Sequence, residues 1–188
     1  DELLLEEIAT ELPPASRSAG AATAALMPPS SPAEVAALEL QIAEAGSRDD
    51  VVGLSLRIAL LHCRAAGLCV VGRGMISGLR GAGDGLVDRI EGVMIPAASE
   101  SLFARPLAGG KPFRGSLSQS PVDRRLLRAL GRAEASEVVL LPIRIGDRVV
   151  NLLYADNGAD SLPDTGVAAL RALTVGMARA YERLIRER

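Results

Sequence analysis

The spacing of apolar positions divides the chain into helical and extended stretches. From Ser47 the residues Val51, Leu54, Ile58, Leu61 and Ala65 recur at intervals of three and four, and Val52, Leu56, Ala59, Cys63 and Ala66 make a second stripe beside them. This predicts a helix to about Ala66 that is covered on two sides, with a narrow polar edge at Asp50, Arg57 and Arg64. A second such helix is predicted over 164–188, about 36 Å long at 1.5 Å per residue. Its stripe is Val167, Leu170, Thr174, Met177, Tyr181 and Leu184, with a seam of Ala169, Leu173, Gly176 and Ala180 alongside. Ser31, Pro32 and Glu34 form the start signal of a shorter helix that runs to Ala45, and Ser47 with Asp50 repeats that signal.

Between the helices the pattern turns extended. Leu68 to Val71 and Met75 to Leu79 read as two strands around a turn at Gly72, Arg73 and Gly74. A third short strand follows from Val93, then a helix capped by Ser99 that Pro106 shortens, and a fourth strand over 111–115. Ser120 and Pro121 open another helix that ends at Gly131. The plainest signal is EVVLLPIRIGDRVVNLLYADNG, two apolar runs around Gly146 and Asp147, which predicts a hairpin with a type II′ turn. Pairing Ile145 with Arg148 sets Ile143 opposite Val150, Leu141 opposite Leu152 and Val139 opposite Tyr154, with Leu140 and Leu153 on the other face. Both faces are apolar, so these strands are expected to be central, with Pro142 at a bulge or where an N–H is not needed.

Before the first capped helix the pattern fades. Residues 1–12 place Leu4, Ile8 and Leu12 among glutamates and predict a short amphipathic helix or the tail of a preceding domain. Residues 13–31 are rich in Ala, Pro and Ser and read as a linker, followed by a linker helix over 32–46 and one domain over 47–188. A start at Asp1 rather than Met reads as a fragment.

Composition narrows the function classes. Of 188 residues, 48% are apolar and 23% charged, a globular balance without a membrane-length apolar run. A net charge of −2, with basic residues scattered, argues against nucleic acid and anionic lipid as partners. No basic leader precedes an apolar segment, and two cysteines do not make a disulfide framework, so the expectation is a cytoplasmic, reducing setting.

Candidate chemistry is thin. His62, Cys63 and Cys69 lack a fourth ligand and match no zinc spacing, so packing is the preferred reading and no metal or cofactor is expected. The sole histidine lies on an apolar helix, which argues against a Ser-His-Asp site and against an enzyme. Six glycines between Gly72 and Gly85 do not lead from a strand into a helix with the required lysine, so turns are preferred over a phosphate loop. Asp123, Arg124, Arg125, Arg128 and Arg132 form a basic helical face, read as solvated or as a partner surface through Arg124 and Arg128.

The stretch from Val138 to Asn157, and the run from Arg89 to Phe113 ending in Gly-Lys-Pro-Phe, resemble the penultimate hairpin and the third strand with its following helix in the GAF domain. The resemblance covers 47–188. It implies an α+β fold, an antiparallel sheet of five or six strands with helices on its faces and a bundle of the N- and C-terminal helices. It also implies a non-catalytic sensory or regulatory role, relayed through the terminal helices, or a degenerate protein-interaction domain. The Asn-Lys-Phe-Asp-Glu set of cyclic-nucleotide-binding relatives is missing, as is a bilin-attachment cysteine, and Asn151 stands where a glycine is common. A small ligand would lie between the sheet and the short helices, near Met94, Phe103, Phe113 and Arg114. A homodimer is expected through Val51, Leu54, Ile58 and Leu61 with Val167, Leu170, Met177, Tyr181 and Leu184, unless Val35, Leu38 and Ile42 of the 32–45 helix cover that surface within one chain.

Overall fold

The computed structural model describes residues 31–116 and 120–187. The helix expected over 1–12 and the linker up to residue 30 lie outside the described residues. The elements are α1 (Pro32–Glu44), α2 (Arg48–Ala59), β1 (Ala65–Gly72), β2 (Met75–Gly83), a 3-10 turn (Ile90–Gly92) and β3 (Met94–Pro96). A second 3-10 turn (Leu102–Ala104), α3 (Arg105–Gly109), β4 (Phe113–Ser116), α4 (Pro121–Ala129), β5 (Glu137–Ile145), β6 (Arg148–Asp156) and α5 (Asp164–Arg186) follow. The six strands form one antiparallel sheet in the order β3-β2-β1-β6-β5-β4. This is the expected α+β architecture, with the hairpin strands at its centre.

The predicted helix starts are in place. The Ser31 hydroxyl accepts the Glu34 N–H at 3.2 Å, and Ser47 accepts that of Asp50 at 3.1 Å. The second helix stops earlier than its apolar stripe predicts, at Ala59 rather than Ala66. Tertiary pairing takes over: Arg64 N–H donates to the Asp156 carbonyl and the Asn157 Oδ1, and Ala65, Ala66 and Gly67 pair with β6. The expected Ser99 cap is likewise displaced, because Ser101 accepts the Ala104 N–H and the first turn there is 3-10.

The hairpin turn has the expected signs, with Gly146 at φ +57° and Asp147 outside the left-handed region. Ile145 pairs with Arg148, but the register beyond the turn corrects the sequence-based one. A bulge at Ile143/Arg144 leaves Val150 without a partner on β5, so Ile143 faces Asn151, Leu141 faces Leu153 and Leu140 faces Tyr154. One extra residue moves the β6 side chains to the opposite face relative to β5. Leu140 and Leu153 therefore lie on opposite faces of the sheet.

Each face buries its own cluster. On one side α1, α2 and α5 pack over Leu68, Val139, Leu141, Ile143, Leu153 and Ala155. Leu38 and Ile42 of α1 are 2% and 3% exposed, and they cover the surface formed by Val51, Ile58, Leu170 and Met177, which is also closed to solvent. Of the nine residues expected at a dimer surface, only Leu61 is exposed, while Leu54 and Leu184 are half-buried. On the other side the 84–92 segment, the second 3-10 turn and α4 close over Cys69, Ile76, Leu140, Leu152 and Tyr154. The glycines read as turns have a packing role here. A Cβ on Gly78 would stand 1.6 Å from the Ile90 carbonyl oxygen, and Gly67 is crossed by the Ile90 side chain. Bare backbone lets the 84–92 segment lie directly on β1 and β2.

Candidate functional site

The sheet face under the short helices is where a ligand was expected, and side chains of the chain itself fill it. Phe103 is carried there by the 3-10 turn that Ser101 caps, and its ring stacks on Tyr154 of β6 with centroids 5.7 Å apart. Both are essentially closed to solvent, as are Leu86, Ile90, Leu127 and Leu130 around them. The four residues assigned to a ligand do not converge. Met94 is 70% exposed on the edge strand β3, whereas Phe113 and Arg114 lie on the opposite edge strand β4. Five inter-strand spacings, about 24 Å along the sheet, separate those edges. Phe113 is half-buried beneath the Arg105 guanidinium, which lies 5.0 Å from its ring centre.

Arg114 acts as a tether. Its Nε donates to Glu137 at 2.9 Å, and its two terminal nitrogens reach the Asp164 carboxylate and the Leu162 carbonyl. Glu137 Oε2 also accepts the Leu162 N–H at 3.1 Å. The hydrogen bond to Glu137, followed by that to Asp164, raises the Arg114 pKa further above its ordinary value. Edge strand β4 is thereby joined to the entrance of α5.

The most concentrated polar group is one that sequence patterning did not single out. The Asp156 carboxylate, fully buried at the end of β6, accepts from Arg132 Nε at 3.0 Å, from the Tyr154 hydroxyl at 2.7 Å and from Gly158 N–H at 2.7 Å. A terminal nitrogen of Arg132 also meets Asp156, and the other donates to the Asp84 carbonyl at 2.8 Å. These bonds join three loops at one end of the sheet. Burial, then the nearby Asp156 charge, raises the Tyr154 pKa well above its usual value, so the hydroxyl stays a donor. The Asp-Asn ending of the hairpin was its sequence signal, but nothing in the sequence connected it with Arg132.

Arg132 and Asp123 were assigned to the basic face of α4, and both turn inward. Gly131, at φ +70°, ends the helix and redirects Arg132, while the Asp123 carboxylate accepts the Leu102 N–H at 2.7 Å. Arg124, Arg125 and Arg128 remain exposed. Asn151 is also engaged in the interior, where its amide donates to the Cys69 carbonyl at 2.9 Å, beside the point where Leu79 of β2 bulges out of its pairing with β1.

The remaining chemical groups are muted. Burial pushes both thiols up to about 12, and at Cys63 the Asp156 charge adds to it. His62, whose pKa burial lowers, lines an open groove of about 390 Å³ with Cys63, Asn157, Pro163 and Thr165. Among the described residues no cluster of three or more His, Cys, Asp or Glu side chains could hold a metal, and no helix is long and apolar enough to cross a membrane.

No protein-family model and no curated protein matches the sequence. Solved structures do match the fold. Residues 122 to 287 of a methyl-accepting chemotaxis protein superpose with a TM-score of 0.63 at 17% identity, covering 79% of this chain and 96% of that one. The GAF domain of a two-component sensor histidine kinase from Bacillus halodurans gives 0.61 at 19% identity, covering 74% and 96%. A free methionine-R-sulfoxide reductase from Neisseria meningitidis, in complex with its substrate, gives 0.63 at 13% identity, covering 86% and 96%. The chain has the GAF fold.

Proposed function

We propose that this is a non-catalytic regulatory domain that works by contact with a protein partner and passes its state on through α5, rather than by holding a small ligand. The observation that carries this reading is the Phe103–Tyr154 stack, which occupies the sheet face where a ligand would lie. Support for the regulatory role comes from the fold, shared with domains of a chemotaxis protein and a sensor kinase. The same fold also occurs in a free methionine-R-sulfoxide reductase, and any cysteine thiol serves as a nucleophile only once it is ionised. Cys63 and Cys69 are buried with raised pKa values, which favours the non-catalytic reading.

Thermal shift against nucleotides, amino acids and small acids tests the choice between ligand and partner, because a ligand bound only by the folded state raises Tm. No shift is expected. A reproducible saturable rise with any of them overturns the reading. Capture of an acidic partner is expected to fall on Arg124→Glu with Arg128→Glu.

A homodimer belongs to the same reading, but its contact would use what α1 leaves open on the helical side. Leu40 is 65% exposed, Val175 51% and Leu61 38%. Light scattering of Leu40→Glu with Val175→Glu checks it: dissociation is expected, and a wild type that is monomeric at micromolar concentration removes the dimer.

A further inference from the structure

Arg124, Arg125 and Arg128 stand exposed on α4, and no hydrogen bond or ion pair among the described residues engages them. Val122, 54% exposed, stands three residues before Arg125 and four before half-buried Leu126, the spacings that share a helix face. Arg89 adds a fourth guanidinium against Gly131, just past the helix end. The surface is thus basic with an apolar margin, on a chain whose net charge is −2. Its complement is present in the same chain. Residues 1–12 carry Asp1, Glu2, Glu6, Glu7 and Glu11 with no lysine or arginine, and they intersperse Leu4, Ile8 and Leu12.

α1 and α4 lie on opposite faces of the sheet, α1 with one buried cluster and α4 with the other, but at the same end of it. Glu34 in the first turn of α1 pairs with Arg57 near the end of α2 at 2.9 Å. The chain then runs from α2 to Arg64, whose N–H meets the Asp156 carbonyl, and the Asp156 carboxylate holds Arg132 just beyond α4. Ser31 and the C-terminal end of α4 therefore lie at the same end of the sheet. The eighteen residues 13–30 include a single charge, Arg17. They span at most about 60 Å fully extended.

We propose that the acidic segment 1–12 of this chain docks on the exposed side of α4, its carboxylates against Arg124, Arg125 and Arg128 and its apolar residues against Val122 and Leu126. The inference rests on reading this face as an interaction surface, and it names the occupant. Tethering supplies a local concentration on the order of millimolar, so individually weak surface contacts suffice. An outside acidic partner would have to displace the segment, which makes it a built-in competitor for the regulatory contact.

Spin labels on Ala9→Cys and Ala129→Cys in the full chain test this, because Cys63 and Cys69 are buried and stay unlabelled. Pulsed electron resonance is expected to show a narrow short-distance population. That population should fall several-fold in Arg124→Glu with Arg128→Glu and at about 1 M salt, where the screening length is about 3 Å. Adding Glu6→Arg and Glu7→Arg to the reversed arginines should restore it at low salt, while circular dichroism confirms that each variant is folded. A broad distribution that is the same in wild type and charge-reversed chains overturns the proposal. So does loss of the short distance on dilution with unlabelled chain, which assigns the contact to a second copy. Either result leaves partner capture by the arginine face to its own test, so the two readings fail separately.

Discussion

Arg132 and Asp156, 24 residues apart, meet as a buried ion pair whose side chains are 4% and 0% exposed. The carboxylate is further satisfied by the Tyr154 hydroxyl and the Gly158 N–H, so the charge is compensated on every side. Removing one partner leaves the other charged and buried. Asp156→Ala is therefore expected to cost about 3–5 kcal/mol in urea unfolding, while the double replacement Arg132→Met, Asp156→Leu costs less than Asp156→Ala alone. A double variant no more stable than Asp156→Ala contradicts this account of the pair.

Gly78 and Gly67 face the same Ile90 but differ in what a methyl group would strike. At Gly78 it meets the Ile90 carbonyl at 1.6 Å, and at Gly67 the tip of the Ile90 side chain at 2.1 Å. A side-chain tip turns aside, whereas the backbone of the 84–92 segment has to move. Gly67→Ala is expected to cost about 1–3 kcal/mol and Gly78→Ala more than that, as read from denaturation midpoints. Equal costs would mean that the segment moves freely over the sheet.

The buried thiols give the stability a dependence on alkaline pH. Below pH 9.0 they are protonated in both folded and unfolded chains, and their contribution is whole. Between 9.0 and about 12 the unfolded chain releases these protons while the folded one keeps them, so stability falls as pH rises through that window. Tyr154 and Tyr181, also raised by burial, act in the same direction from 10.0 upward. Tm is expected to decline from pH 9, more gently in Cys63→Ala with Cys69→Ala. At pH 8 a thiol reagent should react only as fast as the protein opens, and rapid labelling of both cysteines in the native state would contradict their burial.

Arg114 joins β4 to the entrance of α5 through Glu137, Leu162 and Asp164. Arg114→Ala is expected to speed amide hydrogen exchange over 162–167 while leaving the β5 and β6 amides protected. Unchanged exchange in that stretch would mean that the tether does not hold the helix entrance.

Much of this architecture was legible as sequence. Helix starts at Ser31 and Ser47, the start of the last helix at Asp164 and the turn at Gly146 each depend on residues within a few positions of one another, and each is where the pattern placed it. The sequence offers two covers for α2 and α5, a second subunit or the 32–45 helix, and inside the chain α1 lies over them. The resemblance places a ligand near Met94, Phe103, Phe113 and Arg114. The sheet order then sent Met94 and Phe113 to opposite edges and drew Phe103 into the interior.

The sequence by itself determined the elements, their order and the apolar faces, because caps, turns and side-chain periodicity are short-range. Tertiary structure decided where α2 ends, since Arg64 to Gly67 gain more from pairing with β6 than from another helical turn. It decided the hairpin register as well, by admitting Val150 as the unpaired residue of a bulge whose neighbour Asn151 bonds to Cys69, 82 positions away. It also separated the arginines of α4 into exposed ones and the buried Arg132, which lies within reach of a carboxylate that only the folded chain brings beside it. A charge or an extra strand residue acquires its role from partners far along the chain, and no local pattern encodes them.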